Sequence, residues 1–87
     1  MYTWTIDEDL ILENLKGVTG SSHPSRDEEL KSKCKPHSFS LYDDDCYCVG
    51  RIWLSPKAEG SEQEFAPLDD IGESMGCTSI KIDGITI

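Results

Sequence analysis

The chain has 87 residues, 17 of them Asp or Glu and eight Lys or Arg, for a formal charge of −9. That length allows one domain with one core, spanning residues 1–87. The charge opposes direct contact with nucleic acid or an anionic membrane surface, and no apolar run approaches the ~18–20 residues of a membrane-spanning helix.

The first residues, Met1 to Asp9, have neither the basic start nor the apolar stretch of a secretory leader. The expectation is a cytoplasmic protein whose four cysteines, Cys34, Cys46, Cys48 and Cys77, are reduced thiols. Tyr2, Trp4 and Ile6 alternate with Thr3 and Thr5, the period of a strand. Asp7 then reads as a helix N-cap, with Glu8 and Asp9 suited to the helix dipole. Leu10, Ile11, Leu12 and Leu15 would form either a short helix stopping at Gly17 or a packed loop.

Residues 17–24, G-V-T-G-S-S-H-P, read as a loop without the spacing of a phosphate-binding loop. Ser25 and Glu28 have capping-box spacing, which predicts a helix to about Cys34 before Pro36. Leu30 and Cys34 are its inward residues.

The central feature is a hairpin. Phe39 and Leu41 share one face of a strand, the tip is Asp43-Asp44-Asp45, and Cys48, Gly50, Ile52 and Leu54 alternate with Tyr47, Val49, Arg51 and Trp53. Both sets are partly apolar, which predicts a central strand covered on both faces, and Gly50 marks a bulge or a close backbone approach. Lys57–Glu64 reads as an exposed mobile loop, and 69–76 as a turn region. A last strand comes next, with Thr78, Ile80 and Ile82 inward. Asp83-Gly84 has the chemistry of a type I′ turn, but only three residues remain to pair with the strand before it. Together these predict an α+β fold: a small, mostly antiparallel sheet of about four strands with one or two short helices.

The segments W-T-I, G-V-T-G, L-Y-D-D-D, G-R-I, F-A-P-L-D-D-I-G and G-C-T-S-I cover about two-thirds of the chain. In these the chain resembles a family of small, acidic, uncharacterised bacterial and phage proteins. The resemblance implies a compact, mostly antiparallel β-domain and no assigned activity. Members usually have Gly after the acidic run, where this chain has Cys46. The departure implies either an Asp in the left-handed conformation or a local role for Cys46 and Cys48.

Candidate chemistry is sparse. The cysteines with His23 and His37 could supply zinc ligands, but their spacing does not fit the usual pairs; the main expectation is ordinary thiols, no metal and no cofactor. The aspartate run lacks the glycine and distant Glu of a calcium loop, and no nucleophile sits in a catalytic signature, so an enzyme is not expected.

The acids are unevenly spread. Residues 36–87 hold ten acids and three bases, and Ala58–Ile80 hold six carboxylates and no Lys or Arg. Either this surface serves solubility alone, or it meets a cationic partner. The leading expectation is a non-enzymatic acidic binding protein, encoded by a phage or prophage. It would inhibit a nucleic-acid-binding host-defence enzyme, as anti-CRISPR and anti-restriction proteins do by mimicking nucleic acid. The partner-binding candidates are Asp43, Asp44, Asp45, Glu62, Glu64, Asp69, Asp70 and Glu73. The alternatives are an accessory interaction domain using exposed aromatics such as Trp53 or Tyr42, and a small zinc-stabilised module.

Overall fold

The computed structural model describes residues 1–11 and 14–87. Six strands form one antiparallel sheet: β1 (Tyr2–Asp9), β2 (Thr19–Ser21), β3 (His37–Tyr42), β4 (Cys46–Leu54), β5 (Ser79–Ile82) and β6 (Ile85–Thr86). Their order is β2-β1-β4-β3-β5-β6. The α+β class stands, with two more strands than expected.

Period-two alternation places Trp4, Ile6, Phe39, Leu41, Cys48, Ile52, Leu54, Ile80 and Ile82 on one face, all buried. A helical run lies across this face and contributes Ala66 and Leu68 to the same core, with Cys77 added just after it. The run is a 3-10 turn (Glu62–Phe65), a π turn (Leu68–Gly72) and a second 3-10 turn (Glu73–Met75). It replaces the predicted turn region at 69–76. Pro67 sits inside it, at the N-terminal side of the π turn, where its missing N–H costs little. The preceding segment is exposed at Lys57, Glu59, Gly60 and Glu62, as expected, but is tied down by local contacts. Ala58 is fully buried, its amide bonds the Ser55 carbonyl, and Ser61 caps the first 3-10 turn through the Gln63 amide.

On the opposite face, α1 (Asp27–Lys33) covers Thr3 and Trp53 and buries Leu30. β4 is therefore covered on both faces, as its double apolar pattern implied. The capping box does not form. The chain enters α1 through a 3-10 turn at Pro24–Arg26, the N-cap residue is Arg26, and Asp27 instead accepts a hydrogen bond from the Ser21 hydroxyl. The acids Asp27, Glu28 and Glu29 still occupy the first turn, where the helix dipole favours them.

β1 runs on to Asp9, where a helix was one expectation. Pairing with β4 outcompetes a helix that has little local support. Asp7 is not an N-cap: it is the extra residue of a β-bulge between Ile6 and Glu8 and forms an ion pair with Arg51 at 2.9 Å. Asp9 ties down the chain beyond β1 by accepting the Ile11 and Leu15 amides. The predicted position of Leu12 lies outside the described residues.

Two glycines are required by close approach. A Cβ on Gly50 would stand 2.1 Å from the Thr5 carbonyl oxygen and 2.7 Å from the Phe39 ring. A Cβ on Gly20 would stand 2.4 Å from the Trp4 indole. In each case the aromatic is the glycine's own cross-strand partner, lying over it. The two rings then meet edge to face at 6.3 Å.

Candidate functional site

The β3–β4 connection is the three-residue tip Asp43-Asp44-Asp45. No Asp there adopts the left-handed conformation; the one non-glycine residue with positive φ among the described residues is Asp83. A bulge answers the geometric demand instead. Leu41 opposes Cys48 and Tyr42 opposes Cys46, so Tyr47 is the extra residue, and its carbonyl is used by the Leu10 amide. All three tip carboxylates are exposed. Asp43 is fixed by the Thr78 hydroxyl at 3.3 Å, while the Thr78 amide bonds the Tyr42 carbonyl. Thr78 is thus exposed and engaged at the tip, not directed inward as expected.

That contact joins two acidic segments that are distant in sequence. The helical run begins beside the end of β4, crosses the core face and returns to the hairpin tip through Cys77 and Thr78. Glu62, Asp69, Asp70 and Glu73 are exposed along it and Glu64 is half-buried. Among the described residues, none of these acids, nor Asp43, Asp44 or Asp45, forms an ion pair with a Lys, Arg or His. Phe65, 36% exposed, is the large apolar side chain among them.

Asp70 differs from the other seven. Its Oδ2 accepts the Trp4 indole N–H at 2.9 Å, and it lies beside Tyr2, whose hydroxyl titrates above the ordinary tyrosine value, first from burial and then from this carboxylate. Asp70 therefore anchors the helical run to β1. Sequence could not single it out from Asp69.

Five of the eight bases occupy the other side. Arg26, Lys31 and Lys33 belong to the α1 layer, and Arg51 and Lys81 project from the sheet face opposite the core. Arg26 and Lys33 both bind Glu29, at 3.0 and 2.8 Å, and hold its carboxyl at about 2. Lys31 and Arg51 lie over the Trp53 ring at 5.0 and 5.3 Å, and Lys81 lies over Tyr42 at 4.2 Å. Trp53 is only 6% exposed and Tyr42 half-buried, so neither is the free aromatic surface that the accessory-domain alternative requires.

The thiols do not assemble a reactive centre. Burial pushes Cys48 up to about 12 and raises Cys77, so both are neutral thiols at neutral pH. The Cys46 thiol donates to the Cys48 carbonyl. All four cysteines are free, and among the described residues no three His, Cys, Asp or Glu side chains are placed to hold a metal ion. His37 is engaged elsewhere, with Nδ1 at 2.7 Å from Asp83 and Nε2 at 3.2 Å from Glu59.

One acidic concavity escaped the sequence reading. A cleft of about 330 Å³ is lined by Asp7, Glu8, Asp9 and Lys16, gathered by the β1 bulge and the loop after it. The bulge depends on register, which no local signal announced.

No family model matches the chain, and no similar curated protein or solved structure was found.

Proposed function

We propose that this chain is a non-enzymatic acidic binding protein that docks its helical run and hairpin tip on the basic, nucleic-acid-binding surface of another protein. In this reading it acts as a phage- or prophage-encoded inhibitor of a host-defence enzyme, of the anti-CRISPR or anti-restriction kind, and the carboxylates stand in for phosphates. The observation that carries the reading is the partition of charge. Carboxylates without basic partners occupy one side, while five of the eight bases are engaged with Glu29, Asp7, Trp53 and Tyr42 on the other. An acidic surface neutralised by its own lysines would have little field left for a partner.

The test is capture of partners from a bacterial lysate at low and at moderate salt, followed by mass spectrometry. Recovery of one nucleic-acid-binding protein that is lost as salt rises supports the reading, because charge-led association is screened. The paired substitutions Asp69→Lys and Glu73→Lys should abolish that capture with the circular-dichroism spectrum unchanged. Capture undiminished from the unmodified chain, both in this variant and in one reversed at Asp43, Asp44 and Asp45, would refute it.

A further inference from the structure

Asp83-Gly84 is the one Asp-Gly pair in the chain. At such a pair the Gly84 nitrogen can attack the Asp83 carboxyl carbon, because glycine has no Cβ to crowd its own nitrogen. A C–N bond forms, and one carboxyl oxygen leaves as water with the carboxyl proton and the amide proton. The product is a five-membered cyclic imide. Water then opens the imide at either carbonyl, giving back aspartate or leaving isoaspartate, whose backbone runs through the side chain. The water lost in the first step returns in the second, so no other reactant is needed. Both residues are exposed at the β5–β6 turn, where solvent reaches them.

The fold holds both oxygens of this carboxylate. Oδ1 accepts the Ser38 amide at 3.1 Å, and Oδ2 lies 2.7 Å from His37 Nδ1. In the other direction the Asp83 amide donates to the Ser38 carbonyl at 2.8 Å. The pairing of β3 with β5 ends at Phe39 and Ile82, so these bonds complete the next rung with one backbone and one side-chain acceptor. His37 is held in turn from its far side, where Nε2 meets Glu59 at 3.2 Å. The Ser38 hydroxyl, 3.5 Å from Oδ1, adds little.

Ring closure needs what this arrangement withholds. The carboxyl carbon must meet the Gly84 nitrogen at ~3–3.5 Å with its face turned to the attack. Two hydrogen bonds fix the carboxyl plane instead, and the departing oxygen must leave the donor that holds it. The imide ring also sets the rotation about the Asp83 Cα–C bond, which the closed turn sets for pairing Ile82 with Ile85. Water leaves only from a neutral carboxyl, and hydrogen bonding to His37 keeps Asp83 ionised to below its ordinary 3.8.

We propose that Asp83-Gly84 is a latent isomerisation site that His37 and the Ser38 amide keep closed, and that it opens when the β5–β6 hairpin frays. β6 is an exposed edge strand of two residues, an element of low local stability. Isoaspartate adds a backbone carbon at the turn, so Ile82 and Ile85 lose their register and β6 does not re-form. The site is independent of the acidic surface, since none of its residues belongs to the helical run or the hairpin tip.

The full chain is incubated for several weeks at about pH 6, where His37 is largely protonated, and isoaspartate at residue 83 is counted by fragment-ion mass spectrometry. The same chain unfolded in urea gives the unprotected rate. The folded chain should isomerise about ten-fold more slowly or better. His37→Val keeps a strand-forming residue but no donor to Oδ2, and should raise the folded rate about three-fold with the circular-dichroism spectrum unchanged. Ser38→Ala keeps the amide, so its rate should match that of the unmodified chain. Hydrogen exchange of the Asp83 amide reports the fraying itself and should rise and fall with isomerisation across these variants. Equal rates in the folded and unfolded chains overturn the proposal. So does an unchanged rate in His37→Val, or a slower one, which would make the histidine a proton donor to the departing oxygen.

Discussion

Trp4 and Asp70, 66 residues apart in sequence, are joined by a 2.9 Å hydrogen bond from the indole nitrogen to Oδ2. The indole is buried beneath the helical run while the carboxylate belongs to that run's outer side. One residue of the acidic surface is therefore a fastener for the layer that carries the rest.

This separates neighbours that look equivalent. Asp70→Lys should lower stability by about 1.5–3 kcal/mol, the scale of a hydrogen bond to a charged acceptor. Asp69→Lys should stay within about 0.5 kcal/mol, as for an exposed surface change. Urea unfolding of the two variants checks it, and equal losses would remove Asp70 from its anchoring role.

Gly50 makes a sharper case. Gly50→Ala puts a methyl against a backbone carbonyl that cannot rotate away and against the Phe39 ring. A loss of about 3 kcal/mol or more is expected. Gly60→Ala meets nothing within 4 Å and carries only the strain of φ +74°, so about 1 kcal/mol is expected there. Thermal unfolding should rank the two in that order.

His37 gives a pH dependence of known sign. Hydrogen bonding to Asp83, with a further bond to Glu59, raises its pKa above the ordinary 6.5, while the same pairing lowers Asp83 below 3.8. The histidine contribution is fully present below 6.5 and is lost as pH rises through the raised folded value. The aspartate contribution is present above 3.8 and is lost as pH falls through its depressed folded value. The pair thus stabilises mainly in the mildly acidic range. Because the carboxylates are about half exposed, the effect should be about 0.2–1 kcal/mol. Denaturation of wild type and His37→Asn should differ at about pH 5.5 and converge well above neutrality.

The thiols should react in two classes. Half-buried Cys34 and Cys46 should be modified by an aromatic disulfide reagent in the native state, and Cys48 and Cys77 only on unfolding. Counting released chromophore before and after denaturant decides it; rapid native reaction of all four would contradict the buried positions.

Much of this architecture is local and could be read from the chain alone. Alternation in β3, β4 and β5 fixed which side chains face the core, because the side-chain period of a strand is two. Asp83-Gly84 announced its turn: φ is 52° and 80°, and Ile82 pairs with Ile85 across it. The concentration of acids after Ala58 is likewise plain in the sequence. Other features required the folded chain. Thr19–Ser21 has no strand signature of its own and becomes β2 because its glycine fits beneath Trp4. Residues 62–64 and 69–75 read as loop and turn, with Phe65–Leu68 returning to the core, yet the whole stretch coils because Ala66 and Leu68 must cover the sheet. Which aspartate fastens that layer, and which lysine lies over Tyr42, depend on contacts between residues far apart in the chain. Propensity acts over a few neighbouring residues, whereas register, bulges and clefts are settled by packing between distant ones, and that packing placed the acids of the helical run and five of the eight bases on opposite sides of the sheet.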